Sequence, residues 1–252
     1  MNEVFADLLN IYVVIYLDNI LIYSDNLEDH IKHMKEVLKR LWRNKLYASP
    51  TKCAFYQNRI KFLGYILGAD GLRIDNSKIQ TIWDWLVPCR VKDMQSFLGF
   101  ANFYSRFISN YAELTSLLTG LTRENKPWNW TTDYQLAFNT LKKTFTTAPV
   151  LGHWSPDLLM ILETDASNYA LAAILSIQIA GEVCPIAFHS RTFSLAEINY
   201  DVHNKELLAI VEAFKKWQHY LKETMDPVEV FTDYKNLIYF SETKALSQCQ
   251  AR

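Results

Sequence analysis

The sequence has little of what secreted, fibrous or membrane proteins need. Its four cysteines lie at least 36 residues apart, which provides neither paired metal ligands nor a dense disulfide framework. Seven glycines and seven prolines in 252 residues are too few for a collagen-like or low-complexity chain. No apolar run approaches the roughly 18–20 residues that cross a bilayer, and the acidic start Met1-Asn2-Glu3 does not resemble a signal peptide. These absences predict an intracellular protein with reduced thiols and no membrane partner.

What the chain has instead is material for a folded core. Half of its residues are apolar and 14% are aromatic, which suffices for one or two globular domains. The net charge of −1 hides an asymmetry, because residues 1–150 carry 18 Lys and Arg against 14 Asp and Glu, whereas residues 151–252 carry 8 against 13. Nine basic residues and one acid, Glu36, occupy the stretch from Lys32 to Lys61. This stretch suits phosphate contacts or a solvated helix face, and charge alone leaves both open.

The first half of the chain predicts a hairpin followed by helices. Two apolar, β-rich runs within residues 11–24 are hinged at Asp18-Asn19, which predicts a tight turn. A helix is expected after Asn26, with an apolar face formed by Ile31, Met34, Leu38, Leu41 and Trp42. A short strand is expected over residues 61–67, and helices near 77–86, 92–108 and 132–145.

The second half follows a different pattern. The segment 147–157 contains two prolines and a glycine, which predicts the main domain boundary there. Strands are expected over residues 158–162, 172–179, 183–189 and 228–232, with a long helix over 204–221. This order predicts an α/β or α+β module.

Four acidic residues stand where the predicted elements could hold them rigidly. Asp18 lies at the hairpin turn, Asp165 and Asp233 each end a strand, and Glu206 lies in the long helix. The three C-terminal acids come from separate elements and suit Mg²⁺ and the hydrolysis of a phosphodiester, whereas Asp18 alone suits a single contact with a divalent cation. Aspartate is also common at turns, so the spacing alone leaves a purely structural role open.

These motifs, in this order, resemble the polymerase polyprotein of gypsy-type LTR retrotransposons. Tyr16–Ser24 is similar to the Tyr-x-Asp-Asp signature of reverse transcriptase, Phe62–Tyr65 to its primer grip and Phe97–Ile108 to its thumb. Three further blocks are similar to ribonuclease H: Thr164–Ser167, Asn204–Val211 and Phe231–Leu237. The resemblance implies the C-terminal part of a reverse transcriptase palm over residues 1–75, a helical thumb over 76–127, a connection and linker over 128–156, and a truncated ribonuclease H-like domain over 157–252.

The resemblance also implies a function and its residues. In the family, the activities are DNA synthesis on an RNA template and Mg²⁺-dependent cleavage of RNA in RNA–DNA hybrids, with Mn²⁺ as an alternative metal. The implied catalytic residues and metal ligands are Asp18, Asp165, Glu206 and Asp233, and the implied nucleic-acid contacts are Phe62, Leu63, Gly64, Tyr65, Lys35, Lys39, Arg40 and Arg43. The implied partners are an RNA–DNA hybrid or primer–template and other parts of the polyprotein, in the cytoplasm or a virus-like particle.

The sequence departs from the family pattern at several positions. Asn19 stands where the family has the second aspartate of its signature, and Tyr234 stands where histidine usually follows Asp233. The family's fingers and first catalytic aspartate are expected before Met1, and its fourth ribonuclease H aspartate after Arg252. The chain alone is therefore expected not to polymerise DNA. Besides an enzyme fragment, a catalytically dead nucleic-acid-binding remnant and a decayed open reading frame stay open.

Overall fold

A computed structural model describes residues 1–124 and 126–232 as a mixture of helices and short strands. The helices are α1 (Leu27–Arg43), α2 (Asn76–Trp83), α3 (Val91–Phe103), α4 (Tyr111–Gly120), α5 (Thr132–Thr146), α6 (Val202–Lys216) and α7 (Gln218–Leu221). The strands are β1 (Val13–Tyr16), β2 (Asn19–Ile22), β3 (Arg59–Phe62), β4 (Tyr65–Gly68), β5 (Gly71–Ile74), β6 (Met160–Ala166), β7 (Ala170–Ile179), β8 (Glu182–Thr192) and β9 (Glu229–Thr232). The predicted mixed α/β class is confirmed. No helix in the described part of the chain is both long and apolar enough to cross a membrane.

The chain divides into two compact units. The first contains residues 1–63 and 67–69, and the second contains residues 64–66 and the chain from residue 70 onward. The division falls within β4 rather than near residue 150, where the change of sequence pattern lies. Residues 70–146 and the C-terminal strands therefore share one unit.

The first unit is built on a hairpin and one long helix. Helix α1 begins after Asn26, whose side chain accepts a hydrogen bond from the backbone N–H of Asp29 at 2.9 Å. The unit's buried core consists of Phe5, Leu8, Val13, Val37 and Leu41. The helix is confirmed, but its predicted apolar face is wrong in part, since Leu38 and Trp42 are 44% and 84% exposed. The buried stripe runs through Met34, Val37 and Leu41, which places Leu38 and Trp42 beyond its edge.

The helical part of the second unit surrounds an aromatic core. Phe97, Phe107, Phe138 and Phe145 are fully buried, and the ring centroids of Phe97 and Phe138 are 4.6 Å apart. The predicted helices correspond to α2, α3 and α5, although α3 ends at Phe103 and continues only as a short 3₁₀ turn. The sequence reading missed α4, which begins after Asn110, a residue with a left-handed φ of 54° and no side-chain cap.

The C-terminal part of the second unit is a four-stranded sheet of order β8-β7-β6-β9. β6 pairs antiparallel with β7 and parallel with β9. Neighbouring residues of a strand face opposite sides of a sheet. On β8, His189 contacts the ring of Trp217 at the end of α6, whereas the hydroxyl of Ser190 accepts a hydrogen bond from the backbone N–H of Ala112 in α4 at 2.8 Å. Helix α6 therefore covers one face of the sheet and the start of α4 covers the other.

Candidate functional site

Asp18 lies at the tip of the β1–β2 hairpin. Tyr16 and Asn19 are register partners, so the turn residues are Leu17 and Asp18 rather than the predicted Asp18 and Asn19. Leu17 takes a left-handed φ of 55°, which permits a two-residue turn of the kind favoured in hairpins. The Asn19 side-chain amide donates to Asp18 Oδ1 at 3.3 Å. Asp18 is exposed to solvent, and the group that donates to its carboxylate is a neutral amide.

A side-chain cluster ties this hairpin to α1. The hydroxyl oxygen of Ser24, just after β2, lies 2.7 Å from His33 Nδ1 and 3.3 Å from His30 Nδ1. The ring of His33 stacks on Tyr12 with centroids 3.8 Å apart. The sequence does not predict this cluster, because nothing local to α1 indicates that the rings of His30 and His33 contact Ser24 and Tyr12.

The predicted primer-grip residues form a tight turn rather than the middle of one strand. Leu63 and Gly64 have φ values of 54° and 83°, so the strand expected over residues 61–67 is broken between β3 and β4. A Cβ on Gly64 would lie 2.7 Å from the hydroxyl oxygen of Tyr104. Both the positive φ and this close approach explain why glycine occupies the position.

Tyr65 anchors the start of β4 in the second unit. Its ring centroid lies 5.6 Å from that of Phe103, 5.7 Å from Phe107 and 5.6 Å from Tyr104. Burial raises the pKa of Tyr65, and burial raises the pKa of Tyr104 to about 12. Both phenols therefore stay neutral at ordinary pH, and the turn at Gly64 is joined to α3 by an aromatic contact.

The basic side chains of α1 differ in their surroundings. Arg40 is bound by two carboxylates, Asp7 and Glu36, and these hydrogen bonds raise its pKa. Lys35, Lys39 and Arg43 are exposed and make no hydrogen bond or ion pair with another residue that the structure describes. Arg40 thus holds α1 to the first residues of its own unit, and the other three remain available to a ligand.

Asp165 and Glu206 lie near the parallel strands β6 and β9. Thr164 of β6 and Thr232 of β9 are register partners, and the hydroxyl of Thr232 donates to Glu206 Oε2 at 3.4 Å. Glu206 is 3% exposed and lies in the second turn of α6. Asp165 follows Thr164 directly and is exposed. Both carboxylates therefore lie at the carboxyl-terminal end of the β6–β9 pair.

Asp165 and Glu206 approach this end from the two faces of the sheet. Asp165 pairs with Ala172, and Ala172 with Ser190, which defines a row on the face covered by α4. Asn110, which precedes α4, and Glu113 of α4 line a shallow cleft with these residues. The sequence reading missed Asn110 and Glu113 as neighbours of Asp165 because it did not predict α4.

The chemistry of the two acids suits a divalent cation such as Mg²⁺, whose preferred protein ligands are carboxylate oxygens. Within residues 1–124 and 126–232, no group of three or more His, Cys, Asp and Glu side chains is close enough to hold a metal ion. Asp233, the third predicted ligand of this set, lies outside the described residues. The donor set thus fits by type, and its completion by Asp233 stays a prediction.

Two family models match the chain. Residues 1–67 match reverse transcriptase (RNA-dependent DNA polymerase), and residues 130–230 match the RNase H-like domain found in reverse transcriptase. Two solved structures share the fold. The foamy viral protease-reverse transcriptase dRH in complex with double-stranded DNA has a TM-score of 0.83 and 23% identity over 98% of this chain and 44% of that chain. The same viral enzyme in complex with an RNA/DNA hybrid has a TM-score of 0.79 and 22% identity over 99% and 34%.

The fold and the matched models define a reverse transcriptase domain joined to an RNase H-like domain. Curated relatives include the Transposon Tf2-7 and Tf2-3 polyproteins of Schizosaccharomyces pombe, each 35% identical over 239 residues, which is 94% of this chain and 18% of each polyprotein. The chain therefore spans less than a fifth of the length of these relatives. It belongs to the reverse transcriptase and RNase H region of gypsy-type LTR retrotransposon polyproteins. These families typically use a divalent metal.

Proposed function

We propose that this chain serves as part of a retrotransposon polymerase that acts on RNA–DNA hybrids and primer–template nucleic acid. The observation that carries the proposal is the contact of buried Glu206 with Thr232, since it joins α6 to the parallel strand pair that also presents Asp165. Solved viral relatives of this fold were captured with double-stranded DNA and with an RNA/DNA hybrid. The nucleic-acid partner of this chain is inferred from that likeness.

Hydrolysis of the RNA strand is assigned to Asp165, Glu206 and Asp233. A divalent cation, when bound, supplies activated water and charge stabilisation at the phosphate. The chain's own contribution is to keep buried Glu206 beside the Thr232 hydroxyl and to present the exposed Asp165 to the hybrid. Mg²⁺ is the expected ion, with Mn²⁺ as an alternative, and these residues are its proposed ligands.

The first unit is assigned to the polymerase part of the same function. Asp18 at the hairpin tip is the proposed metal ligand, and Asn19 replaces a second carboxylate with a neutral amide. One carboxylate supplies too few ligands to position the two ions of a nucleotidyl transfer. Polymerase activity is therefore not expected from this chain alone.

Nucleic-acid binding is assigned to the turn at Phe62–Tyr65 and to the free cations of α1. The turn is held by the aromatic contacts of Tyr65, and Lys35, Lys39 and Arg43 offer unpaired charge for phosphates. Arg40 is omitted from the contact set because its donors are occupied by Asp7 and Glu36. The domain limits at residues 75, 127 and 156, and the location in the cytoplasm or a virus-like particle, stay predictions of the resemblance.

The test is cleavage of a labelled RNA strand in an RNA–DNA hybrid with Mg²⁺ or Mn²⁺. We expect marginal activity from the chain as given and a rise when it is continued with the next segment of the Tf2-7 polyprotein. In the extended chain, Asp165→Asn and Glu206→Gln are each expected to lower the rate of hybrid cleavage at least a hundredfold, since small errors at a catalytic site already cost that much. Asp18→Asn is the matched control and should leave cleavage unchanged.

Two outcomes would contradict the assignment. Cleavage that is indifferent to Asp165 and Glu206 would remove these residues from the catalytic site. Hybrid binding without any Asp165-dependent cleavage in the extended chain would favour the nucleic-acid-binding remnant instead.

A further inference from the structure

Helix α1 has a second apolar feature outside its buried stripe. Trp42 is 84% exposed and Leu38, one turn before it, is 44% exposed. Residues four apart lie above one another on a helix, so the two side chains form one patch. Tyr47, just after the helix, is 94% exposed. The outer face of α1 and the segment after it thus present two large aromatic rings to solvent.

The core of the first unit leaves no place for these rings. Val37 and Leu41 pack in the core with Phe5, Leu8 and Val13 of the hairpin. In the second unit, Phe97 and Phe107 are fully buried in the core, whereas Trp83 is 52% exposed. An exposed Trp beside an exposed Leu on a helix is a feature that marks interaction sites.

The charges around Trp42 indicate the kind of ligand. Lys35 precedes Trp42 by seven residues and Lys39 precedes it by three, so both lie on the same side of α1 as the indole ring. Arg43 follows Trp42 directly and lies on the adjoining side. In contrast, Lys32 is paired with Asp29, and Arg40 with Asp7 and Glu36. The patch therefore joins an exposed indole ring with three cations that form no ion pair with a described residue, although Glu36, the partner of Arg40, also acts on Lys39 and Arg43.

We propose that this face of α1 binds single-stranded nucleic acid, with one base stacked on Trp42 and the flanking phosphates contacted by Lys35, Lys39 and Arg43. Tyr47 is the candidate for a neighbouring base. An aromatic platform flanked by cations recognises an unpaired strand, because its bases offer free faces that a duplex keeps stacked. The inference rests on the proposed function and deepens it: Trp42 would let the cations of α1 hold an unpaired strand.

The test compares a labelled oligothymidylate with an RNA–DNA hybrid by fluorescence anisotropy at one fixed salt concentration. Trp42→Ala is expected to weaken oligothymidylate binding about tenfold, the scale of one lost base stack, and to leave hybrid binding within twofold. Trp42→Phe should retain most of the affinity because it keeps an aromatic face. Trp83→Ala is the matched control, since Trp83 is 52% exposed on α2 of the other unit.

A second measurement separates the phosphate contacts from stacking. Lys35→Gln combined with Lys39→Gln should lower the salt dependence of oligothymidylate binding as well as its affinity, because fewer counterions are released. Trp42→Ala should lower affinity with the salt dependence unchanged. Circular dichroism of each variant shows whether α1 is retained.

Three results would overturn the inference. Unchanged oligothymidylate affinity in Trp42→Ala would exclude stacking there. An equal loss for the hybrid would show a general backbone contact instead. Self-association of the unmodified chain that Trp42→Ala abolishes in sedimentation would assign the patch to a second copy of this chain. In each case Asp165-dependent hybrid cleavage would still support the proposed function, so the two failures can be told apart.

Discussion

The hairpin of the first unit and the C-terminal sheet of the second hold their acidic residues in opposite ways. Asp18 is exposed on a two-residue turn whose shape depends on its own neighbours in sequence. Glu206 is buried, and its Thr232 partner lies 26 residues away on a strand that must first pair with β6. The first acid needs only a local turn, whereas the second needs the sheet to be assembled. The difference implies that the C-terminal site depends on long-range strand pairing, whereas the conformation of the hairpin tip is set by residues close in sequence.

The largest expected effect tests this dependence in the core of the sheet. Leu162 is fully buried under α6, and Leu162→Ala should lower the free energy of unfolding of the second unit by about 2–5 kcal/mol. Leu195, 87% exposed in the same unit, is the matched control, and Leu195→Ala should change it by less than about 0.5 kcal/mol. Hydrogen exchange should accelerate in β6 and β7 while β1 and β2 keep their protection. Equal acceleration in the hairpin would show that the two units unfold together.

The contrast between local and distant contacts also explains what the sequence could predict. The Asp18 hairpin, the start of α1 at Asn26 and the strands β6 to β9 follow from local patterns, although the pattern predicts the hairpin turn one residue too late. Helix α4 is not predicted because it begins after Asn110, which has a left-handed φ and provides no side-chain cap. The side of the sheet on which Asp165 lies could not be read, since it depends on the packing of α4 on β8. Trp42 was assigned to the core because helical spacing alone does not distinguish the centre of a stripe from its edge.

A smaller effect is expected at the turn that carries the predicted primer grip. Gly64→Ala would force a side chain into a φ of 83° and within 2.7 Å of the Tyr104 hydroxyl, which should cost about 1–3 kcal/mol in the free energy of unfolding. Gly99→Ala is the matched control, because Gly99 lies inside α3 with no atom within 4 Å of the added Cβ. That change should stabilise the chain by up to about 1 kcal/mol. A loss at Gly99 as large as at Gly64 would refute the steric explanation.

The ion pair between Arg191 and Glu197 makes the stability of the second unit depend on pH. Arg191 on β8 donates two hydrogen bonds to Glu197, at 2.8 and 2.9 Å, and these lower the pKa of Glu197 to about 2. A lowered folded-state pKa gives stability that is present above about pH 4.5 and is lost as the pH falls through about 2. Glu197→Gln should therefore cost about 1–2 kcal/mol at pH 7 by chemical denaturation, with the difference shrinking below pH 4.5.

The matching pair of the first unit is more exposed to solvent. Glu36, which pairs with Arg40, has a 39% exposed side chain, whereas the Glu197 side chain is 17% exposed. Because water screens exposed pairs, Glu36→Gln should cost less than Glu197→Gln at pH 7. A larger cost at Glu36 would mean that the Asp7–Arg40–Glu36 network, and not the apolar core, holds α1 in place.

The smallest expected effect concerns Asp18 itself. Its carboxylate is exposed and its side-chain contact is the 3.3 Å hydrogen bond donated by Asn19, so Asp18→Asn keeps the shape of the turn and removes only a solvated charge. The free energy of unfolding of the first unit should change by less than about 0.5 kcal/mol, measured by hydrogen exchange in β1 and β2. Asp18→Val is the informative companion, because a β-branched residue suits a turn position poorly and should loosen the hairpin more. If Asp18→Asn loosened the hairpin as much as Asp18→Val, the charge of Asp18 would contribute to folding, and the hairpin acid would no longer differ from Glu206 in its dependence on the surrounding structure.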